Sequence, residues 1–288
     1  DKKHDDIRNN FNKKYILVNA IGGIGNLLFQ LFFAYNIALR YNLDVAVRVN
    51  QKDEKRESIY FYHMFDNILR IKKDSIDDLY EVKEVTKNYS DLMSNIPMNT
   101  NLYLNGFFQS SYYFDDNFDR IKKHFNYEIK DIAIDIINKY KNKDKKLVAI
   151  HVRGGDYIQK SEYHKLLDKH YYDNCINQID GNTEYVLFTD DIEYANKNFS
   201  NYFTQSIDNI IKNNIEDKYK YLIDNPELSF FLMSLFDIII CVNSTFSLWA
   251  SYFSNAEKIF IPKEWFGPKG PRDFTTEEFI LNENYIRI

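Results

Sequence analysis

Along the chain, apolar residues gather in short unbroken runs that stop at glycine, asparagine or aspartate, and stretches with helical apolar spacing lie between them. Tyr15–Ala20 reads as a buried strand, Gly22-Gly23-Ile24-Gly25-Asn26 as a tight turn, and Leu27 to Tyr41 as a striped helix. Asp44–Val49 reads as the next strand, which makes the opening a β-α-β unit. Roughly from 50 to 145 the pattern is less regular, with an apolar patch at Leu102–Phe108 and helices expected near Phe114–Phe125 and Ile129–Tyr140. Beyond the charged run Lys141–Lys146, strands are expected at Lys146–Val152, Glu184–Thr189, Asp237–Val242 and Lys258–Ile261. Helices are expected between them, near Tyr171–Ile179, Ile192–Phe199, Glu227–Phe236 and Phe246–Phe253. Strands alternating with helices predict parallel sheets covered on both faces. The expected architecture is α/β: two Rossmann-like domains, 1–142 and 143–288, facing a cleft and joined at the charged run.

Composition narrows the partners. A chain of 288 residues, 44% hydrophobic and 27% charged, is long enough for two domains and belongs to the soluble globular class. Its 37 basic and 42 acidic residues argue against nucleic acid, which needs a concentrated basic face. The longest apolar stretch, Phe230–Val242, is broken by Ser234 and Asp237, so no membrane span is expected. The polar start Asp1–Lys14 carries no signal-peptide core. Cys175 and Cys241 fit neither a metal spacing nor a disulfide framework and read as buried thiols of a reducing compartment. The 23 tyrosines and 23 phenylalanines exceed ordinary needs; most are expected in the core, and some could form platforms for sugar rings.

Candidate chemistry sits where strands end, which is where open α/β sheets bind ligands. His151-Val152-Arg153-Gly154-Gly155-Asp156-Tyr157 follows the run Leu147–Ile150 and puts a cation, an imidazole and a carboxylate on one bend. Arginine's planar, permanently charged fork suits phosphate oxygens, although an Arg153–Asp156 pair that merely pins the turn fits equally well. Thr189-Asp190-Asp191 closes another strand. Asp190 could accept from a base such as guanine, or cap the following helix together with Glu193. A divalent ion on Asp191 and Glu193 would lack the converging oxygens such ions require. Asn243-Ser244-Thr245 opens a helix after Val242, and two hydroxyls with free N–H groups there make a neutral phosphate cradle or a plain N-cap. The glycine turn offers N–H groups too, but it fails as a dinucleotide fingerprint: Leu28 replaces the third glycine, and Asn50 stands where a ribose-binding acid is needed.

Taken together, Gly22–Gln30 (GGIGNLLFQ), Gly106–Phe114 (GFFQSSYYF), His151–Tyr157 (HVRGGDY), Phe188–Phe199, the NSTFSLWASYF stretch and Ile259–Phe266 (IFIPKEWF) resemble the bacterial-type α-1,2-fucosyltransferases of glycosyltransferase family 11. The resemblance runs from about Tyr15 to Phe266. It implies a two-Rossmann (GT-B) fold, GDP-fucose as donor, and inverting transfer to the 2-hydroxyl of a terminal β-galactoside. It implies no metal or other cofactor, and a cytoplasmic location or one peripheral to membrane-linked glycan assembly. The N-terminal domain would serve the acceptor and the C-terminal domain GDP-fucose. Carried over, Arg153 would grip the diphosphate with His151 beside it, Asp190 would read guanine, and Asn243, Ser244 and Thr245 would hold phosphate. Gly23, Gly25 and Asn26 would line the cleft. Three positions depart from the family pattern: Gly154 where a second basic residue is common, Leu27 where glutamine is usual, and a tail with a single tryptophan, Trp249.

For catalysis, Asp156 is the first candidate base and His151 the second, with a departing phosphate oxygen as the alternative. Competing functions are α-1,6 or protein-directed fucosyl transfer, a non-catalytic relative that binds nucleotide or glycan, and an NAD-dependent oxidoreductase, which Leu28 and Asn50 disfavour. The acceptor glycan and the oligomeric state are not encoded in any readable motif.

Overall fold

A computed structural model describes residues 14–49, 58–72, 76, 78–97 and 99–288. Asn50 and residues 1–13 of the polar start lie outside them. Contacts divide the chain into two compact units, Asp1–Asn126 and Tyr127–Ile288.

The first unit contains β1 (Tyr15–Val18), α1 (Ile24–Tyr41), β2 (Asp44–Val49), β3 (Leu69–Lys72), β4 (Leu79–Lys83), β5 (Asn101–Asn105) and the short α2 (Phe118–Lys122). Its strands form one parallel sheet in the order β3-β2-β1-β5-β4. β1 is central and buried along its whole length, as an unbroken Tyr-Ile-Leu-Val run requires. α1 buries Leu28, Phe29, Leu31, Phe32, Phe33 and Ile37 and stops at Asn42, whose left-handed φ of 54° ends the helix. Much of the aromatic surplus lies here. Phe32 stacks on Phe125 with centroids 5.3 Å apart, and Phe33 meets Tyr113 at 4.4 Å. The helix expected over Phe114–Phe125 is mostly absent: two 3-10 turns, Ser111–Tyr113 and Asp115–Asn117, precede the five-residue α2. Phe114 takes a non-helical φ/ψ of −154° and −3°, and its fully buried ring packs on Phe29 and Phe32. Ring packing overrides helical spacing there.

The second unit runs α3 (Glu128–Tyr140), β6 (Lys146–Val152), α4 (Gly155–Gln159), α5 (Lys169–Ile176), β7 (Thr183–Thr189), α6 (Ile192–Phe199), β8 (Gln205–Ser206), α7 (Ile207–Asn214), α8 (Pro226–Met233), β9 (Ile238–Ile240), α9 (Thr245–Tyr252), β10 (Lys258–Ile261) and β11 (Tyr285–Arg287). Its parallel sheet has the order β11-β10-β9-β6-β7-β8. Val148, Ile150, Leu187, Ile238, Ile240 and Phe260 meet α5 and α6 through Tyr171, Tyr172, Ala195 and Phe199 in a closed core. Cys175 and Cys241 are fully buried, unpaired thiols, and burial pushes each up to about 12. They are inert packing residues.

The boundary differs from the expected 142/143. The buried stripe Ile129, Ile132, Ala133, Ile136 and Ile137 packs α3 against α7 and α8, so the helix belongs to the second unit. The charged run is anchored as well: Lys141 Nζ lies 2.8 Å from Asp237 Oδ1, and Asp237 Oδ2 accepts the Leu147 N–H at 2.8 Å. No helix among the described residues is long and apolar enough to cross a membrane.

One loop of this unit depends on glycine. A Cβ on Gly267 would stand 2.6 Å from the Ser161 carbonyl oxygen and 2.7 Å from that of Glu162. Backbone cannot yield as a side-chain tip does. Gly267→Ala is therefore expected to cost about 2 kcal/mol of stability, read as a lowered midpoint in denaturant titration. A midpoint equal to the wild type would contradict the close approach.

Candidate active site

Three strand exits of the second unit stand level. β6 and β7 pair through Val152 and Thr189, so Arg153 and Asp190 leave the sheet side by side. β6 and β9 pair through Ile150 and Ile240, so Arg153 and Asn243 are each three residues past one pair. Neighbouring strands are about 4.8 Å apart, so short side chains from these exits can share one ligand.

Arg153 is held from several directions. Its Nη1 lies 3.2 Å from Asp190 Oδ2 and its Nη2 lies 3.1 Å from Asp156 Oδ1. Its guanidinium carbon sits 5.1 Å above the Tyr157 ring, a cation–π geometry. Asp190 uses its other oxygen to accept the Gly154 N–H at 3.0 Å. Asp156 uses its other oxygen to accept from Lys160 Nζ at 3.1 Å. Partial burial pushes the Asp156 carboxyl up, but the Lys160 hydrogen bond and the Arg153 charge outweigh it and hold the group below its ordinary range. Gly155 has a φ of +38°, and a Cβ there would lie 2.4 Å from Asp190 Oδ2, so the second glycine lets that carboxylate reach the bend.

Asp191 caps α6: its Oδ1 accepts the Tyr194 N–H at 2.9 Å, and its Oδ2 accepts that of Gly155 at 3.3 Å. The cap expected from Asp190 with Glu193 is thus made one residue later, which leaves Asp190 to the Arg153 bend.

His151 lies on β6 just before this bend and is only 4% exposed. Its carbonyl accepts from the Tyr172 hydroxyl at 2.9 Å, and its buried Nδ1 has no hydrogen-bond partner among the described residues. Burial, reinforced by the Arg153 charge, pushes the imidazole down to about 3, so it is neutral at ordinary pH.

Tyr157 joins two of the exits. Its ring underlies Arg153 and stacks on His164 with centroids 4.2 Å apart, while its hydroxyl donates to the Asn243 carbonyl at 2.9 Å. Burial pushes that hydroxyl up to about 12, so it keeps its proton and remains a donor. Asn243, expected to touch phosphate, is 1% exposed and donates its amide to the carbonyls of Lys165 and Trp265 at 2.8 and 2.7 Å. Its side chain ties loops together. Ser244 Oγ accepts the Phe246 N–H at 3.3 Å as the N-cap of α9, with Thr245 as the first helical residue. That helix start follows the exit of β9, at the edge where parallel sheets bind ligands.

In the first unit the glycine turn is braced internally. Gly22 has a φ of +96°, and a Cβ there would lie 2.5 Å from Asn26 Nδ2. Gly23 is the N-cap of α1, and Gly25 and Asn26 stand in its first turn. Gln30 donates to the carbonyls of Ile21 and Asn26 at 2.7 and 2.9 Å and accepts the Ile21 N–H at 3.2 Å. Asn26 Oδ1 accepts from Gln109 Nε2 at 2.9 Å, which brings the GGIGN and GFFQSS motifs together.

The sequence profile of Glycosyl transferase family 11 matches residues 49–285. The chain belongs to that family. The O-antigen biosynthesis glycosyltransferase WbnK of Escherichia coli is 30% identical over 140 residues, 46% of this chain and 43% of that protein, so this match spans under half of the relative. An alpha-1,2-colitosyltransferase of E. coli is 24% identical over 286 residues, taking in 87% of this chain and 92% of the relative. Among solved structures, fucosyltransferase NodZ from Bradyrhizobium superposes with a TM-score of 0.51 at 13% identity, covering 86% of this chain and 94% of that one. An Arabidopsis thaliana FUT1 mutant in complex with GDP gives 0.52 at 13% identity, covering 86% and 70%. At these identities the likeness concerns fold, and it bears out the expectation of two Rossmann-like units.

As a family 11 glycosyltransferase, the chain places Arg153, Asp156, His151, Asp190 and the Asn243–Thr245 corner on one edge of one sheet. Gly23, Gly25 and Asn26 belong to the other unit. Tyr157 and Lys160 had no role of their own in the sequence reading, and Asp191 entered it only as a divalent-ion ligand that the lack of converging oxygens disfavours. Tyr157 and Lys160 follow Arg153 and Asp156 by four residues each, a one-turn spacing that could have flagged both. Gln30 stands at the same spacing from Asn26, whereas Gln109 gave no such signal, because its bond to Asn26 spans 83 residues.

Proposed function

We propose that this enzyme moves L-fucose from GDP-fucose to the 2-hydroxyl of a terminal β-galactoside, with inversion and without a metal ion. The observation that carries the reading is Arg153: a fork held between two carboxylates, seated on Tyr157 and level with the α9 helix start. A diphosphate entering there competes with Asp190 for the fork, while Asp156 keeps one Nη2 N–H and holds the fork in place. Freed from Arg153, Asp190 keeps Gly154 N–H on one oxygen and offers the other to the N–H groups of guanine. As the bond between C1 and the diphosphate breaks, charge grows on the leaving oxygen. Arg153 and the first α9 amides stabilise it, each such donor supplying about 3 kcal/mol.

Neither side-chain candidate suits the role of base. Both oxygens of Asp156 are in ion pairs, and its carboxyl is held low, which makes it a weak proton acceptor. His151 is almost wholly enclosed. The departing phosphate oxygen therefore takes the acceptor's proton, and Asp156 orients Arg153. Asp156→Asn is expected to raise the donor KM about tenfold, as one charge-assisted contact is lost, with the pH profile of kcat unmoved. Loss of the acidic limb of that profile would instead make Asp156 the base.

A second reading concerns the sugar. Colitose is L-fucose without its 3-hydroxyl, and the relative aligned over 92% of its own length is named for transferring colitose. The deciding experiment offers GDP-fucose and GDP-colitose with a panel of β-galactosides, with and without EDTA, and assigns the product linkage by NMR. An α-1,2 fucoside formed at an undiminished rate in EDTA supports the proposal. An α-1,6 product, colitose transfer alone, GDP binding without turnover, or rescue by manganese each overturns part of it.

A further inference from the structure

We propose that the loop after β10 forms a subsite for an anionic sugar unit, a uronate or a sugar phosphate, next to the acceptor's terminal galactose; this rests on the transfer reading above. A cavity of about 360 Å³ is lined there by Lys165, Lys263, Trp265, Phe266, Arg272 and Phe274, together with Glu264 and residues of the glycine–proline turn. Its Ile261–Phe266 segment is one of the stretches on which the resemblance in the sequence rests, and the chemistry at Arg153 has no use for it.

The cavity is built rather than incidental. Gly267 donates its N–H to the Tyr163 carbonyl at 2.7 Å, Lys269 donates its backbone N–H to that of Glu162 at 2.7 Å, and His164 and Phe266 form an antiparallel bridge. A Cβ on Gly267 would stand 2.6 Å from main chain, and one on Gly270 would stand 2.4 Å from Phe266 Cβ, so both positions exclude a side chain. Phe274 meets Phe266 edge to face at 5.1 Å and lies 6.4 Å from Trp265 at a tilt of 43°, which gives an apolar wall of ring faces and edges for sugar C–H groups.

Its charge is the second clue. Glu264 is matched by Lys165 at 2.6 Å, whereas neither Lys263 nor Arg272 has a carboxylate partner among the described residues. Two surplus cations beside aromatic rings, in a chain of net charge −5, suit a ring that carries a carboxylate or phosphate. Position agrees. β10 is next to β9, and Asn243, beside Ser244, donates to the carbonyls of the lining residues Lys165 and Trp265 and so ties the cavity wall to the Ser244 corner.

The test uses calorimetry on the GDP-loaded protein with three matched disaccharides: lactose, its counterpart with the glucose C6 oxidised to a carboxylate, and its glucose 6-phosphate. At least one anionic disaccharide is expected to bind about fivefold tighter than lactose, the scale of two ion pairs made by the exposed Lys263 and Arg272. That advantage should vanish in Lys263→Gln/Arg272→Gln and at high salt, while GDP affinity stays constant. The preferred anion separates uronate from phosphate. Phe274→Leu should weaken lactose and its anionic forms alike. Equal binding of all three, an advantage that survives the double substitution, or a fall in GDP affinity would overturn the proposal; the last would assign the cavity to the nucleotide. Because binding needs no turnover, a parallel transfer assay that fails would count against the function proposed above and not against this subsite.

Discussion

Arg153→Lys is expected to lower kcat/KM for donor turnover at least about 100-fold, a loss of roughly 2.7 kcal/mol of transition-state stabilisation, while the protein stays folded. The substitution keeps the charge. What it removes is the fork that reaches Asp156 with one Nη and Asp190 with the other, at 3.1 and 3.2 Å, and the planar face resting on Tyr157. A lysine ammonium can satisfy one of these carboxylates, and it cannot present two parallel donors to a phosphate. The check is steady-state kinetics alongside a melting curve. A variant within threefold of wild type would show that Arg153 serves as a point charge; a collapsed Tm would show that its pairs hold the bend together and leave the kinetics uninformative.

The second large effect is on acid stability. His151 is neutral when folded because burial pushes it down to about 3, against an ordinary value near 6.5. The sign follows from proton counting. Above 6.5 both folded and unfolded chains carry the neutral ring, and there is no penalty. Below it the unfolded chain takes up a proton that the folded chain refuses, so stability falls with pH until about 3 is reached. The full loss is on the order of 5 kcal/mol. His151→Gln removes this titration, and its stability should decline less than that of wild type between pH 7 and pH 4. Denaturant titrations at both pH values give the comparison. Parallel declines in the two proteins would mean that the ring is protonated without cost in the folded state.

These two residues illustrate how much of the site could be read from residue order. β6, α6 and β10 occur where the apolar pattern puts them, since each run is bounded by a glycine, an aspartate or a proline that ends it unambiguously. The exits of β6, β7 and β9 follow, and with them the grouping of Arg153, Asp190 and Ser244. Which of two adjacent aspartates caps α6 is a matter of a single φ/ψ choice, and Asp190-Asp191 gives no sequence cue to it. Asn243 reads as a ligand group because asparagine is polar; only the packing of Lys165 and Trp265 around it makes it a loop tie. β3 and β4 were missed because strands at or near a sheet edge, such as Leu69-Arg70-Ile71-Lys72, alternate with charge and lack a buried run. The boundary shifted because a charged run resembles a linker until Lys141 finds Asp237.

The most direct test of the account is a crystal structure of this enzyme with GDP. We predict that the diphosphate lies with one phosphate's oxygens within about 3 Å of both Arg153 Nη atoms and of the first amides of α9, with Asp190 turned from Arg153 to the base. A diphosphate bound away from that corner, with Arg153 still clasped by Asp156 and Asp190, would contradict it.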